Sequence, residues 1–593
     1  MLPPDSRTTL LRQLEPPPGA KIEHLVGTTF TLDLESALLP CLALAGSANA
    51  DKADAVETVA AIRASIGKVD IFHQVGHIGV PQNRSPLYSL LEDSIHGIGR
   101  TKGLFHPKLW LGAYRGEGGE EIYRLIILSR NLTKDRSWDV ALSLDGQLTN
   151  SRIAGNAPLQ NLLDYLLDAS ATPIDGERRA RLTDLGKRLQ KVKWELPARA
   201  TDIAFHVYGL PRRTKPTPDF SGYKHLLVSP FLNDAGLQHL TEGRKGPLTV
   251  VSRQEALNCL SEDAAESVDT AYVVSANAGL PGEEDDSSTL GSTLLDTLHA
   301  KLYAVERSKV AAHLFIGSAN ATDAAFNRNV EILVELTGPP KLFGVDALVG
   351  GEGFGPILEL AEIESDTAET DEEQEDLDRY VRTIAGVSLV ATLSRSDDEG
   401  ATLAVTSEEP LPTFDADVSL SLSLLTVPSK QEQVLPASPV DVVFGDLKLS
   451  DVTAFVVIEA QRGGRRSRSV VKAELIGDDS GRLDSIVTDQ LDGPEAFRRL
   501  LALILAFGGL PTDQDGALGE TEGAGTGNWS QYDQGLFELI MRSSVSNREG
   551  LEYLAGIVSS IIDGKDPNNV LPEGFVPLWE AVAAATDLKV GKQ

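Results

Sequence analysis

Two stretches of this chain carry the same pattern, and together they restrict its fold more than any other feature. Leu298-His299-Ala300-Lys301-Leu302-Tyr303 is followed by Ile316-Gly317-Ser318-Ala319-Asn320. Upstream, Phe105-His106-Pro107-Lys108-Leu109-Trp110 is followed by Leu125-Ile126-Ile127-Leu128-Ser129-Arg130-Asn131. On a strand, the His and Lys of a His-x-Lys tripeptide share one face. Leu314-Phe315-Ile316 is a short apolar run of the buried-strand kind, and it stops at Gly317 and Ser318, where the chain must turn. Aligned on the Asn, Leu128-Ser129-Arg130-Asn131-Leu132-Thr133 matches Gly317-Ser318-Ala319-Asn320-Ala321-Thr322. The His-to-Asn spacing is 21 in one copy and 25 in the other, and a glycine-rich loop at 115–121 accommodates the difference. Each copy continues to an acid, Asp139 after Trp138 and Glu331 after Asn329. Matched half-sites about 190 residues apart predict duplicated domains that share one site.

The residue types suit attack on a phosphate. Imidazole acts as a nucleophile or as a general acid. Lys ammonium and Asn amide groups donate to non-bridging oxygens as charge builds on them. Such chemistry calls for no metal and no cofactor.

This pattern resembles the phospholipase D superfamily, whose members carry one His-x-Lys…Ser/Gly-x-Asn motif per half. The resemblance covers roughly residues 20–345. The superfamily's longer motif places Asp five positions after the Lys; here those positions hold Ala113 and Glu306. The first copy is therefore more similar to the His-Lys-Asn variant of tyrosyl-DNA phosphodiesterases and some bacterial nucleases. The resemblance implies that His106 attacks phosphorus to form a phosphohistidine and that His299 is the general acid and base. Lys108, Lys301, Asn131 and Asn320 would bind the phosphate, with Ser129 and Ser318 positioning them. Asp139 and Glu331 would orient the imidazoles; Asn329 and Glu306 are further candidates. Arg130, Arg253 and Ser229 are candidates for substrate contact at strand ends.

The implied fold class is α/β: two phospholipase D-like α/β/α halves (1–170 and 171–360, the second opening with a bridge helix) forming one site. An acidic linker (361–380), an antiparallel β-sandwich-like domain (381–480) and a helical C-terminal domain (481–593) follow. Thr28–Leu34 reads as a strand, Glu35–Ala45 and Lys52–Ile66 as helices and Val69–Val75 as a strand, an order that predicts a βαβ unit and a mostly parallel sheet. Ten acidic residues between Glu362 and Asp378 mark the linker. Alternating runs between 385 and 477 mark the β domain. Helical periodicity follows Asp484, at Gly493–Phe507, Gln534–Ser543, Arg548–Ile562 and Val576–Ala585. The glycine-rich loop Gly516–Gly527 lacks a phosphate-loop Lys-Ser/Thr ending.

The formal net charge of −32 argues against broad affinity for nucleic acid but leaves room for a local basic cleft. The basic residues of the bridge (Arg178, Arg179, Arg181, Lys187, Arg188, Lys191, Lys193), the Arg212-Arg213-Thr214-Lys215 loop and the hairpin Arg462–Arg468 each read either as a solvated face or as a phosphate contact. Glu283–Asp286 reads as a solvated acidic loop. His73 and His77 stand four apart, but no acidic or Cys ligands cluster beside them to complete a metal site. Cys41 and Cys259 fit a reducing cytoplasm, and no signal peptide or span of ~20 apolar residues is expected. A DNA nuclease is the expectation, with a helicase-type protein partner in defence against phage, no membrane, and homodimerisation open. The alternatives are a non-catalytic or partner-gated scaffold and a phospholipid-hydrolysing phospholipase D.

Overall fold

The computed structural model describes residues 10–44, 65–99, 102–275, 297–364, 371–489, 548–562 and 575–586, with short breaks at 135–136, 212, 396–399, 415–416 and 479, and isolated positions near 59–63, 491–497 and 570–572. Most of the predicted helix at 52–66, the acidic loop at 283–286, the glycine-rich loop at 516–527, the helix at 534–543 and most of that at 493–507 lie outside the described residues.

The duplication is visible in the strand order. The first half is a seven-stranded sheet. Its centre runs Ala141–Leu148, Glu121–Leu128, Leu109–Gly116, Ala20–Thr29, Val69–Gln74, Ile95–Ile98. The second is an eight-stranded sheet whose centre runs Glu331–Gly338, Ala312–Gly317, Leu302–Glu306, Lys224–Val228, Leu248–Val251, Thr270–Val274. The pairing directions repeat as well. In each half the two connections among the last three strands are parallel and the preceding ones antiparallel. The sheets are therefore mixed rather than mostly parallel. The strands after each His-x-Lys are joined by short returns, such as residues 117–120, and a short return forces antiparallel pairing.

One apolar core joins the halves. Leu109, Leu111 and Leu125 from the first pack in the same cluster as Leu302, Ile316 and Ile332 from the second. Helices Ala157–Ala169 and Gly176–Leu189 bury Leu162, Leu166, Leu182 and Leu185 against it. Each fully buried Leu or Ile contributes about 1.5–3 kcal/mol, so the relative position of the halves is fixed by packing.

The β domain is a sandwich whose six-stranded sheet is completed by the first half. Leu32–Asp33 and Ile78–Gly79 add to its edge, and Ile78 pairs with Val470. In the facing four-stranded sheet, Val390–Arg395 and Glu474–Ile476 pair in parallel, so the domain is not wholly antiparallel. Buried Glu92 locks the seam, accepting hydrogen bonds from Thr453 Oγ1 at 2.7 Å, Ala454 N at 2.8 Å and Arg482 at 2.7 Å. The described C-terminal helices do not stand apart as a domain. Ile486, Leu551, Leu554 and Trp579 share one core with Leu34, Cys41, Leu90 and Ile95 of the first half. Among the described residues, no helix is long and apolar enough to cross a membrane.

Candidate active site

Each His-x-Lys tripeptide lies where the chain crosses between the halves, just ahead of its main-sheet strand. Phe105 bridges Val330 in parallel, and the His106 amide donates to the Val330 carbonyl at 2.9 Å. Reciprocally, Thr297–Leu298 pairs in parallel with Ser137–Trp138, and the His299 amide donates to the Trp138 carbonyl at 2.7 Å. Each histidine therefore leans on the segment that follows the other half's Asn. Gly103 and Gly209 make the first crossing possible. A Cβ at Gly103 would lie 2.4 Å from the Arg328 carbonyl oxygen, and one at Gly209 2.2 Å from that of Asn329.

The two imidazoles are held differently. His106 Nδ1 donates to Glu331 Oε2 at 2.9 Å. Glu331 is fully buried and also accepts from Ser318 Oγ at 2.5 Å and, on its other oxygen, from Asn329 Nδ2 at 3.4 Å. Asn329 is fixed in turn by the Leu104 amide, 3.0 Å from its Oδ1. His299 Nδ1 lies 2.8 Å from the Ser129 carbonyl, which can only accept. A proton on Nδ1 of each ring satisfies these oxygens and leaves each Nε2 its lone pair. At His299 it requires that Lys301 Nζ, 3.1 Å from the same Nδ1, direct its protons elsewhere, as its bond to the His299 carbonyl does. Asp139, expected to orient a ring, is half-buried; its charge acts on Lys301, and Nδ1 of His299 has a backbone oxygen instead.

Lys108 and Lys301 are fully buried, and each ammonium donates to the carbonyl of its own histidine, at 3.1 and 2.9 Å. Burial pulls Lys108 down to about 7. Burial, and then the Lys108 charge, holds Lys301 well below the ordinary lysine range. Burial takes His106 down to about 4 against the upward pull of Glu331. Burial, then the charges of Lys301 and Lys108, takes His299 to about 2. Burial alone would raise Glu331, but His106, Lys108 and Ser318 together keep it below the ordinary carboxylate range. His299 thus feels both lysines and His106, and His106 feels Lys301, so the two motifs form one electrostatic unit. Such a concentration of buried donors with a single buried carboxylate favours an anion. Asn131 and Asn320 lie two positions after Ser129 and Ser318, and the amide oxygen of each is buried with no hydrogen-bond partner among the described residues.

The loops that carry these asparagines repeat each other hydrogen bond by hydrogen bond. Thr29 Oγ1 donates to the Thr31 carbonyl at 2.7 Å and accepts from the Leu132 amide at 2.9 Å. Ser229 Oγ donates to the Phe231 carbonyl at 2.6 Å and accepts from the Ala321 amide at 3.0 Å. Ser229, a candidate for substrate contact by sequence, therefore shapes the Asn320 loop. Ser129 Oγ accepts from the Val140 amide at 2.9 Å, and Ser318 Oγ from that of Ile332 at 3.0 Å.

The other predicted residues are held by partners of their own. Glu306 is at the far end of its strand and accepts from the Val345 amide at 3.0 Å. Arg130 donates to the Thr133 carbonyl at 2.9 Å. Arg253 donates from Nε and Nη2 to the Leu298 carbonyl, at 3.0 and 2.8 Å, directly before His299. Arg178 is not on a rim: it is buried and bonded to Asp70 at 2.8 Å, at the opposite end of the Val69–Gln74 strand from the site. His73 Nδ1 contacts the Gln74 carbonyl at 2.8 Å, and the His77 ring packs 4.1 Å from Phe30. Among the described residues no group of three or more His, Cys, Asp or Glu is arranged to hold a metal ion.

Three supporting residues lie outside the motifs. Thr28 Oγ1 donates to the Pro107 carbonyl at 2.9 Å and accepts from the Leu109 amide at 3.2 Å, which grips Lys108 from both sides. Gln74 Oε1 accepts from the Phe105 amide at 2.7 Å. Phe30 lies 5.0 Å from the His106 ring. Only their positions at strand ends distinguish them in sequence.

No protein-family model matches the chain, and no curated protein does. Among solved structures, the chain is similar to yeast tyrosyl-DNA phosphodiesterase at 13% identity, covering 55% of this chain and 84% of that one with a TM-score of 0.34. It is also similar to phosphatidylserine synthase of Haemophilus influenzae Rd KW20, at 13% identity over 63% and 88% of the two chains with a TM-score of 0.32. Both similarities are distant, and the functional reading rests on the side-chain geometry.

Proposed function

We propose that the chain is a phosphodiesterase of the phospholipase D type that works through a phosphohistidine and cleaves nucleic acid, with DNA as the first candidate. The observation that carries this reading is the pair of histidines with Nδ1 engaged, each with a buried lysine on its own carbonyl, and coupled to each other and to both lysines through charge. His106 is the nucleophile. Its Glu331 partner raises the basicity of the ring and offsets the positive charge that builds on it when Nε2 bonds phosphorus. As that bond forms, the P–O bond to the leaving group breaks, and His299 Nε2 delivers a proton to the departing oxygen. The bound phosphate supplies the negative charge that lets His299 hold this proton against the two lysines. In the second step His299 takes a proton from water, whose oxygen attacks phosphorus and frees His106. Lys108, Lys301 and the asparagine amides stabilise the equatorial oxygens in both steps. The pair must therefore titrate apart, as coupled acid–base partners do. Work beside a helicase-type partner in phage defence belongs to the same reading and rests on the sequence resemblance alone. The test is turnover of a chromogenic phosphodiester in EDTA. The wild-type protein is expected to turn over, and His106→Ala and His299→Ala to be inactive. EDTA-resistant turnover in both variants would contradict the proposal.

A further inference from the structure

The repeat around the site breaks at one position on the rim. Leu32 bridges Leu132 and Leu232 bridges Ala321 in the same parallel sense, so Phe231 occupies in the second half the place of Thr31 in the first. The first half has its aromatic one position earlier, at Phe30, where it is taken up by the rings of His106 and His77. Phe231 turns outward instead and is 49% exposed. The guanidinium of Arg253 lies 4.9 Å from its ring centroid. The same guanidinium holds the Leu298 carbonyl ahead of His299, and the Phe231 backbone is tied through Ser229 to the amide that follows Asn320. A flat apolar surface is thus supported by a cation and attached to both elements that carry the second half-site. A large apolar ring left in water forgoes the free energy of burial, and this one is fixed beside a cationic phosphate site.

We infer that Phe231, backed by Arg253, is a stacking platform for the nucleobase of the nucleotide on the His299 side. This rests on the nucleic-acid reading above and gives it a specificity determinant. A nucleobase offers both features the rim matches, a planar π-face for the ring and an attached phosphate for the lysines. Arg253 acts as a positioning residue that holds the ring and the His299 crossing together.

The experiment compares binding of the full-length protein to a fluorescent dodecathymidylate and to an abasic strand of equal length and phosphate count, for wild type, Phe231→Ala and Phe231→Trp. Methyl p-nitrophenyl phosphate, which has no base, is the turnover control. Wild type is expected to prefer the thymidylate by about 5-fold or more. Phe231→Ala loses that preference with abasic binding and methyl p-nitrophenyl phosphate turnover unchanged, and Phe231→Trp retains it. Equal affinity of wild type for the two strands, no binding of either, a preference that survives in Phe231→Ala, or a parallel loss on both strands would each overturn the platform. Loss in Phe231→Ala of binding to phosphatidylcholine vesicles alone would overturn it in favour of a lipid. A base preference without turnover of the control diester by wild type would instead sink the phosphodiesterase reading and leave the platform standing.

Discussion

Glu331, in the second half, accepts a hydrogen bond at 2.9 Å from His106, 225 positions earlier in the first. The carboxylate that follows one motif therefore contacts the histidine of the other, and neither half alone holds the whole candidate site. Glu331→Gln keeps the shape of this contact, but an amide nitrogen turned toward Nδ1 inverts the tautomer and removes the charge that supports the cationic ring. Turnover of a chromogenic phosphodiester is expected to fall about 10²–10⁴-fold with the fold retained by circular dichroism. A loss below threefold would show that the contact is dispensable.

On the proposed mechanism, Lys108 serves chemistry at a cost in stability. Its pKa of about 7 means that the folded protein holds this proton far less tightly than the unfolded chain does. Lys108→Met replaces a buried cation with an apolar side chain of similar length. The variant is expected to be inactive yet more stable by roughly 1–3 kcal/mol, read from urea denaturation at pH 7. Reduced stability would mean that the ammonium contributes more through Glu331 than burial costs it.

Arg178 gives the converse. Its partner Asp70 is buried and also touches His24 at 2.9 Å and His96 at 2.7 Å. Removing the guanidinium leaves that carboxylate undercompensated, so Arg178→Met is expected to destabilise by about 3–5 kcal/mol. Specific activity of the folded variant at low temperature should match wild type, because the pair lies at the other end of its strand. A raised KM for an oligonucleotide with unchanged stability would return Arg178 to the substrate rim.

Acid should weaken the fold through the site itself. His106 is depressed to about 4, so between there and the ordinary imidazole value near 6.5 the unfolded chain binds a proton that the folded chain refuses. Stability is then fully present above that window and lost as pH falls through it, by up to about 1.4 kcal/mol per pH unit. Glu331, held low in the folded state, adds a loss of the same sign as pH falls through the carboxylate range. Urea midpoints are expected to drop from pH 7 to pH 5, with a shallower slope in His106→Asn. An equal slope in that variant would place the titration elsewhere.

The paired motifs were legible because the chemistry fixes both residue types and spacing, and because the second copy made coincidence implausible. His106, His299, Lys108, Lys301, Asn131, Asn320, Ser129, Ser318, Asn329 and Glu331 all fall within the two crossings and their loops. What the sequence hides is which half serves which. Glu331 follows its motif as Asp139 follows the other, yet Glu331 takes the Nδ1 of the opposite half's histidine, while Nδ1 of His299 faces a backbone carbonyl. Arg178 misleads because a run of basic residues suggests solvent or phosphate, and Glu306 because it stands where the longer motif has its Asp; each is instead buried by a specific partner. The pairing of residues 32–33 and 78–79 with the β domain leaves no trace in local periodicity, since two-residue strands are shorter than any repeat.

The shared-phosphate mechanism is tested most directly by quenching His299→Asn during reaction with a chromogenic phosphodiester and mapping the protein by mass. The second step needs His299 to activate water, so a phosphoryl adduct is expected to accumulate on the peptide that contains His106 and to be absent in His106→Asn. Sustained turnover by His299→Asn with no adduct, or an adduct on another side chain, would contradict the account.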